Sequence, residues 1–307
     1  MDGCGWLWLV GRAGWTALCA LAGCSSGAHV PDAGAPDAAN AGFIRPTEIT
    51  LANERVDGIW RTLGTANWSC LDLPSDEQPS TVSIALTGTT RDYQTDDVVA
   101  TVAVAAFDSN DTAGTAPLAQ ATSDRDGLYA MTLPPGVTRL LFRSTDPEPT
   151  QRFVDSYLLD HRPDPMAAMQ SLDLHSVSWL SMDWFPFPLP VLTGSIIDCD
   201  GYPVEHAIAT FSTASGEPFH LPGAQTYYFS AGSTSLPVRH SQQPDTNHDG
   251  LFLVTEAPAT PAVYVQVWGF VDGQDPETDD LMLLAELPSP LPAETVIQAP
   301  LEPRRAP

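Results

Sequence analysis

"DRDGLYAMTLPPG", residues 124–136, and "NHDGLFLVTEAPA", residues 247–259, align without a gap, setting Asp126-Gly127-Leu128-Tyr129 on Asp249-Gly250-Leu251-Phe252. In each copy Asp-Gly supplies a tight turn with a residue free to take positive φ, and a run of leucine and an aromatic follows as a strand. Pro135 or Pro258 ends that strand. One supersecondary unit repeated in two domains is the economical explanation.

The surrounding chain agrees with a β reading. "TVSIAL" alternates Val82, Ile84 and Leu86, and "AVYVQVWGF" sets Val263, Val265 and Val267 on one face with Tyr264, Gln266 and Trp268 on the other. This is the period of half-buried strands. At 307 residues with 43% hydrophobic content the chain suits two domains of ordinary size, and its 29 prolines and 22 glycines punctuate short strands. One helical candidate stands out at 48–64, where Leu51, Val56, Ile59, Trp60 and Leu63 could form a stripe. The same stretch also fits an ordered lead-in that packs Trp60 and Trp68 on the first sandwich.

The second copy overlaps a metal motif. "DTNHDGLFLVTE", residues 245–256, matches the calcium-loop pattern D-x-[DN]-x-[DN]-G-x5-E, with ligands at Asp245, Asn247, Asp249, the Leu251 position and Glu256. Against this, Leu133 occupies the position of Glu256 in the first copy, and apolar Leu253 stands at the ninth loop position. Neither flank reads as a helix. The turn-and-strand reading is therefore preferred, with calcium the minor alternative and no other cofactor expected.

These residues carry a family resemblance. "TSDRDGLYAMTLPPG" (122–136), preceded by "VVATVAVAAFDS" and followed by "VTRLLFRS", resembles the carboxypeptidase regulatory-like domain of the transthyretin-like β-sandwich class. "GSIIDCDGYPVEHAIATFSTASG" from Gly194, with its turn at Gly201, Pro203, Val204 and Ala207, repeats the pattern. The resemblance covers about 82–160 and 190–302 and implies an all-β chain of two tandem transthyretin-like/Ig-like β-sandwiches. Its motifs are turns and strand edges, so they specify a fold and no chemistry.

Catalytic motifs are missing. None of His29, His161, His175, His206, His220, His240 or His248 has Glu three residues on, so the metal-binding half of a carboxypeptidase is absent. The chain has no lysine. That removes Schiff-base chemistry, a P-loop and the covalent self-crosslinking known in related pilin-type sandwiches. There is no G-x-S-x-G and no HExxH, and Asp160-His161 and Asp173-x-His175 read as loop hydrogen-bonding pairs. No enzymatic activity is expected.

The N-terminus has its own signal. In "GWTALCALAGCSSG", residues 14–27, an apolar run from Trp15 to Ala22 follows Arg12 and ends in Leu21-Ala22-Gly23-Cys24. It resembles a bacterial lipoprotein signal with its lipobox, which implies cleavage before Cys24 and lipidation of that residue. Asp2 and the extra apolar run "GCGWLWLVG" depart from the usual pattern. Ser25 is the type of residue that permits sorting to the outer membrane, by the same resemblance. An uncleaved anchor helix is the alternative, but Arg12 splits the apolar stretch. With 13 basic residues against 38 acids the net charge is −25, which repels nucleic acid.

Five cysteines follow from this arithmetic: Cys4 and Cys19 leave with the signal, Cys24 takes lipid, and Cys70 and Cys199 remain. An oxidising envelope favours a disulfide between them, though two buried free thiols also fit. Trp179, Trp184, Tyr227 and Tyr228 are candidates for stacking on a sugar ring, against the plainer reading in which they fill the domain joint and the core. The expected organisation is a signal at 1–23, a disordered tether at 24–45 and a lead-in at 46–81. The sandwiches follow at 82–189 and 190–302, with a tail at 303–307. The expected role is a lipid-anchored cell-envelope module that binds a protein or, alternatively, a glycan.

Overall fold

The computed structural model describes residues 43–93, 95–146, 153–178, 190–217, 221–230 and 236–306, and every regular element among them is a β-strand. The lead-in forms β1 (Leu51–Val56) and β2 (Ile59–Thr65). A first group follows as β3 (Ile84–Asp92), β4 (Ala103–Asp108), β5 (Ala119–Thr122), β6 (Leu128–Leu133), β7 (Leu140–Thr145), β8 (Phe153–His161), β9 (Met169–Ser171) and β10 (Leu174–Ser178). A second comprises β11 (Val191–Ile196), β12 (Val204–Glu205), β13 (Ile208–Ser212), β14 (Gln225–Phe229) and β15 (Pro237–Arg239). It ends with β16 (Leu251–Thr255), β17 (Thr260–Gly269), β18 (Met282–Leu291) and β19 (Thr295–Leu301).

The two groups have one topology. In the first, β3 pairs antiparallel with β6 and parallel with β10; in the second, β11 does the same with β16 and β19. The facing sheets correspond as well, β4-β7-β8 matching β13-β17-β18. The chain is two tandem β-sandwiches, and the core of the second takes in Phe107, Leu141, Tyr157 and Leu159 of the first.

The repeated Asp-Gly unit does the same work in both. Gly127 (φ +71°) and Gly250 (φ +64°) donate their N–H groups to Asp124 O at 3.0 Å and Asn247 O at 2.8 Å. Their carbonyls then accept from Thr90 and Ile196, so each turn is tied to the central strand of its sheet. Two residues on, Tyr129 lies opposite Gly88 and Phe252 opposite Gly194. Both rings are buried over a glycine. A Cβ on Gly88 would overlap the Leu172 carbonyl and lie 2.8 Å from the Tyr129 ring; on Gly194 it would overlap Ala299 O and lie 2.7 Å from the Phe252 ring. The central strand carries glycine where the turn's aromatic comes down.

The sandwiches are joined by backbone. β19 of the second pairs parallel with β8 of the first over Thr295↔Asp155 to Gln298↔Leu158, so one sheet runs through both. Val154 and Val177 from the first sandwich meet Val191, Leu253, Phe229 and Val296 from the second in an apolar joint beside this ladder.

The lead-in departs from expectation twice. The stretch 48–64 is a hairpin, because Asp57 (φ 51°) and Gly58 (φ 80°) reverse the chain as a type I′ turn requires. It also docks on the second sandwich, not the first. β1 pairs with β12, Thr50 donates its N–H and hydroxyl to Phe270 O at 2.8 and 2.9 Å, and Trp68 Nε1 donates to Thr50 Oγ1 at 2.8 Å. Ala52, Ala66 and Trp68 thereby join the core formed by Val204, Ala207 and Trp268. Trp60 reaches neither sandwich core; it stays on the hairpin, with the Arg55 guanidinium 5.7 Å from its ring.

Candidate functional site

Of the residues singled out in the sequence, Asp245, Cys70 and Cys199 lie at the end of the second sandwich where the lead-in docks. The five positions of the calcium pattern are not brought together there. Asn247 to Gly250 form the turn, but β16 then runs extended from Leu251 to Thr255 and leaves Glu256 at its far end, roughly 20 Å along the strand. The turn's polar groups are used locally. Asp249 Oδ1 accepts the Leu251 N–H at 3.0 Å, and Asn247 Oδ1 accepts the His248 N–H at 2.8 Å. Among the described residues no group of three or more His, Cys, Asp or Glu side chains is placed to hold a metal ion.

Asp245 and His248 instead face a histidine–carboxylate cluster. His206, at positive φ in the turn after β12, has Nδ1 3.5 Å from Asp245 Oδ1 and Nε2 3.5 Å from Glu48 Oε2 and 4.0 Å from Glu205 Oε1. His248 Nδ1 lies 2.7 Å from the other oxygen of Glu205. Burial opposes protonation of His206, but the hydrogen bond and charge of Asp245, with Glu205 and Glu48, outweigh it and hold its pKa above the ordinary histidine value. The cluster links the lead-in to two turns of the second sandwich.

Close by, Cys70 and Cys199 form a disulfide with Cα atoms 5.9 Å apart. Asp198, beside it, accepts the N–H groups of Asp200, Tyr202 and, across 131 residues, Asn67. Cys24, Trp179 and Trp184 lie outside the described residues. Tyr228 is 0% exposed in the core of the second sandwich and its hydroxyl accepts the Ala209 N–H at 3.1 Å, so it presents no face to a sugar. Tyr227 is half-buried against the joint, with Arg239 5.9 Å from its ring.

Two features carried no local signal. The first is a charge network: Arg139 bridges Glu77 and Asp160, and Arg162 bridges Glu77 (Nε 2.8 Å) and Glu302. It ties the lead-in and both sandwiches with five side chains. Burial raises the Asp160 and Glu302 pKa values despite their arginine partners, whereas the Glu77 value is lowered: burial raises it, but Arg139 and Arg162 outweigh that. The second is the outer edge of β2. That strand ends the β12-β1-β2 sheet, with Ile59 64% and Leu63 47% exposed.

Comparison with known proteins adds little. No family model and no curated protein matches. Among solved structures, the shaft pilin SpaA from Lactobacillus rhamnosus GG is 14% identical, with 73% of this chain and 98% of that chain covered and a TM-score of 0.22. A streptococcal ancillary pilin is 12% identical over 73% of this chain and 63% of its own, again at 0.22. At that identity and that score the likeness says nothing more of this chain.

Proposed function

We propose that this chain is a lipid-anchored protein of the bacterial cell envelope, sorted to the outer membrane, whose two carboxypeptidase regulatory-like sandwiches form a non-catalytic, protein-binding scaffold. The observation that supports this reading is the fusion of the sandwiches. A backbone ladder, an apolar joint, a charge network and a disulfide-tied lead-in all hold the domains to one another. The turns that look like ligand sites in the sequence are used inside this frame, while the β2 hairpin keeps an exposed outer edge. Such surfaces recruit polypeptides by strand addition. The Cys24 lipobox supplies the anchor and −25 net charge disfavours anionic membrane and nucleic acid as partners.

Chemical crosslinking in the native envelope, followed by affinity recovery, tests the reading alongside a polysaccharide pull-down with the same protein. A specific protein adduct with no glycan retention is expected. Glycan retention without any protein adduct would replace the scaffold reading with a carbohydrate-binding one.

A further inference from the structure

We infer that the outer edge of β2 is a docking strand for a short extended segment of a partner protein, one with a carboxylate flanked by apolar side chains. The inference deepens the protein-binding reading and rests on it. β2 has the sequence Ile59-Trp60-Arg61-Thr62-Leu63-Gly64-Thr65 and, among the described residues, pairs on one side only, with β1. No described strand pairs with its other side, which leaves N–H and C=O groups as the template for strand addition. Leu63 bulges from the ladder between Thr62 and Gly64, so the regular edge spans Ile59 to Thr62 and takes a short strand.

Charge selects the occupant. Arg61 makes no hydrogen bond, ion pair or ring contact among the described residues, although acids outnumber arginines 38 to 13 in the chain. It stands exposed on the same strand face as Ile59, two residues away. A second copy is disfavoured by charge, since each copy brings −25. An incoming strand with a carboxylate opposite Arg61 and a branched aliphatic residue opposite Ile59 satisfies both side chains. On the inner edge β1 sets Glu54 opposite Arg61, without an ion pair between them, and Val56 opposite Ile59.

That makes the β1 sequence the natural test ligand. A fluorescent peptide, acetyl-LANERV-amide, and its counterpart with lysine at the glutamate position are titrated into the full chain, wild type and Arg61→Glu, with anisotropy as readout. Arg61→Glu sets a second carboxylate opposite Glu54, so a parallel melt measures any loss of hairpin stability and Arg61→Gln, which adds no like charge, serves as the control. Wild type is expected to bind the glutamate peptide about tenfold more tightly than Arg61→Glu does, with the order reversed for the lysine peptide. Equal binding of both peptides to both proteins, or none, overturns the inference. So does sedimentation showing β2-dependent dimers, or binding that appears only once residues 24–42 are removed, which would assign the edge to the chain's own leader. Crosslinking with Arg61→Glu separates the two levels: capture of the same partner by wild type and variant alike sinks the β2 assignment and spares the scaffold reading. Absence of any partner for wild type sinks the scaffold reading itself.

Discussion

Gly250→Val is the substitution that asks most sharply what the Asp-Gly turn is for. Gly250 sits at φ +64°, and a Cβ there would lie 2.6 Å from Ile196 O and 3.0 Å from Val204 N, both backbone atoms that cannot swing aside. The left-handed conformation alone costs a side-chain-bearing residue about 1–2 kcal/mol, more for a β-branched one. Displacing the turn from β11 and β12 adds about 1–3 kcal/mol of overpacking. A loss of about 3–5 kcal/mol is a large fraction of a domain's stability and lowers the melting temperature by roughly 10 °C. Glu256→Gln, half-buried at the far end of β16 and already at φ 60°, keeps the side chain's size and makes no new strain, so it is expected to shift the melting temperature by less than about 1 °C. Near-UV circular dichroism melts of wild type and both variants, each with calcium and with chelator, provide the assay. The turn reading fails if Gly250→Val melts like wild type, or if calcium raises the wild-type melting temperature and Glu256→Gln removes that rise.

Other consequences can be measured on the same material. The Cys70–Cys199 bridge closes 129 residues of chain, for which loop-closure entropy gives about 5 kcal/mol as an upper figure; Cys70→Ser with Cys199→Ser should lower the urea midpoint accordingly, and an unchanged midpoint would show that the lead-in is held without it. His161, half-buried beside Phe142, has its pKa pushed down to about 4 by desolvation, so its neutral form supports the fold above pH 6.5 and that support is lost as pH falls from 6.5 toward 4, by at most about 3 kcal/mol. His206, raised above the ordinary value, acts in the opposite sense: its contribution is complete below pH 6.5 and fades as pH rises through its folded-state pKa. Denaturant midpoints from pH 4 to 8 should therefore flatten on the acid side in His161→Gln and on the alkaline side in His206→Gln, and unaltered profiles would refute both assignments. Arg139→Met strands the buried Asp160 and leaves Glu77 with Arg162 alone, and is expected to cost about 3–5 kcal/mol by the same midpoint measurement; a cost below about 1 kcal/mol would remove the network from the account.

The elements legible in the sequence are those whose determinants are local. An Asp-Gly step before leucine and an aromatic names a turn and a strand, and it does so twice because the partner strand carries Gly88 or Gly194 beneath the ring. The lead-in was ambiguous for a physical reason. Leu51, Val56, Ile59, Trp60 and Leu63 satisfy a helical spacing and equally an ordered lead-in, and the Asp57-Gly58 reversal with the pairing of β1 to β12 makes the stretch a hairpin. That pairing and the Thr50 to Phe270 hydrogen bonds span 150 to 220 residues, a distance over which no periodicity speaks. The β8–β19 ladder and the Glu77–Arg139–Asp160–Arg162–Glu302 network are invisible for the same reason. Tyr227 and Tyr228 show the limit within one strand, since alternation says that they face opposite ways but not which side is the core.

The scaffold reading depends above all on the two sandwiches moving as one body through β8 and β19. Native-state hydrogen exchange read by mass spectrometry, on peptides covering 153–161 and 295–301, tests this directly. The ladder predicts exchange as slow as that of β17 in the core of the second sandwich, governed by global unfolding. Exchange as fast as in the exposed β2 hairpin would mean that the sandwiches part freely, and would contradict the account.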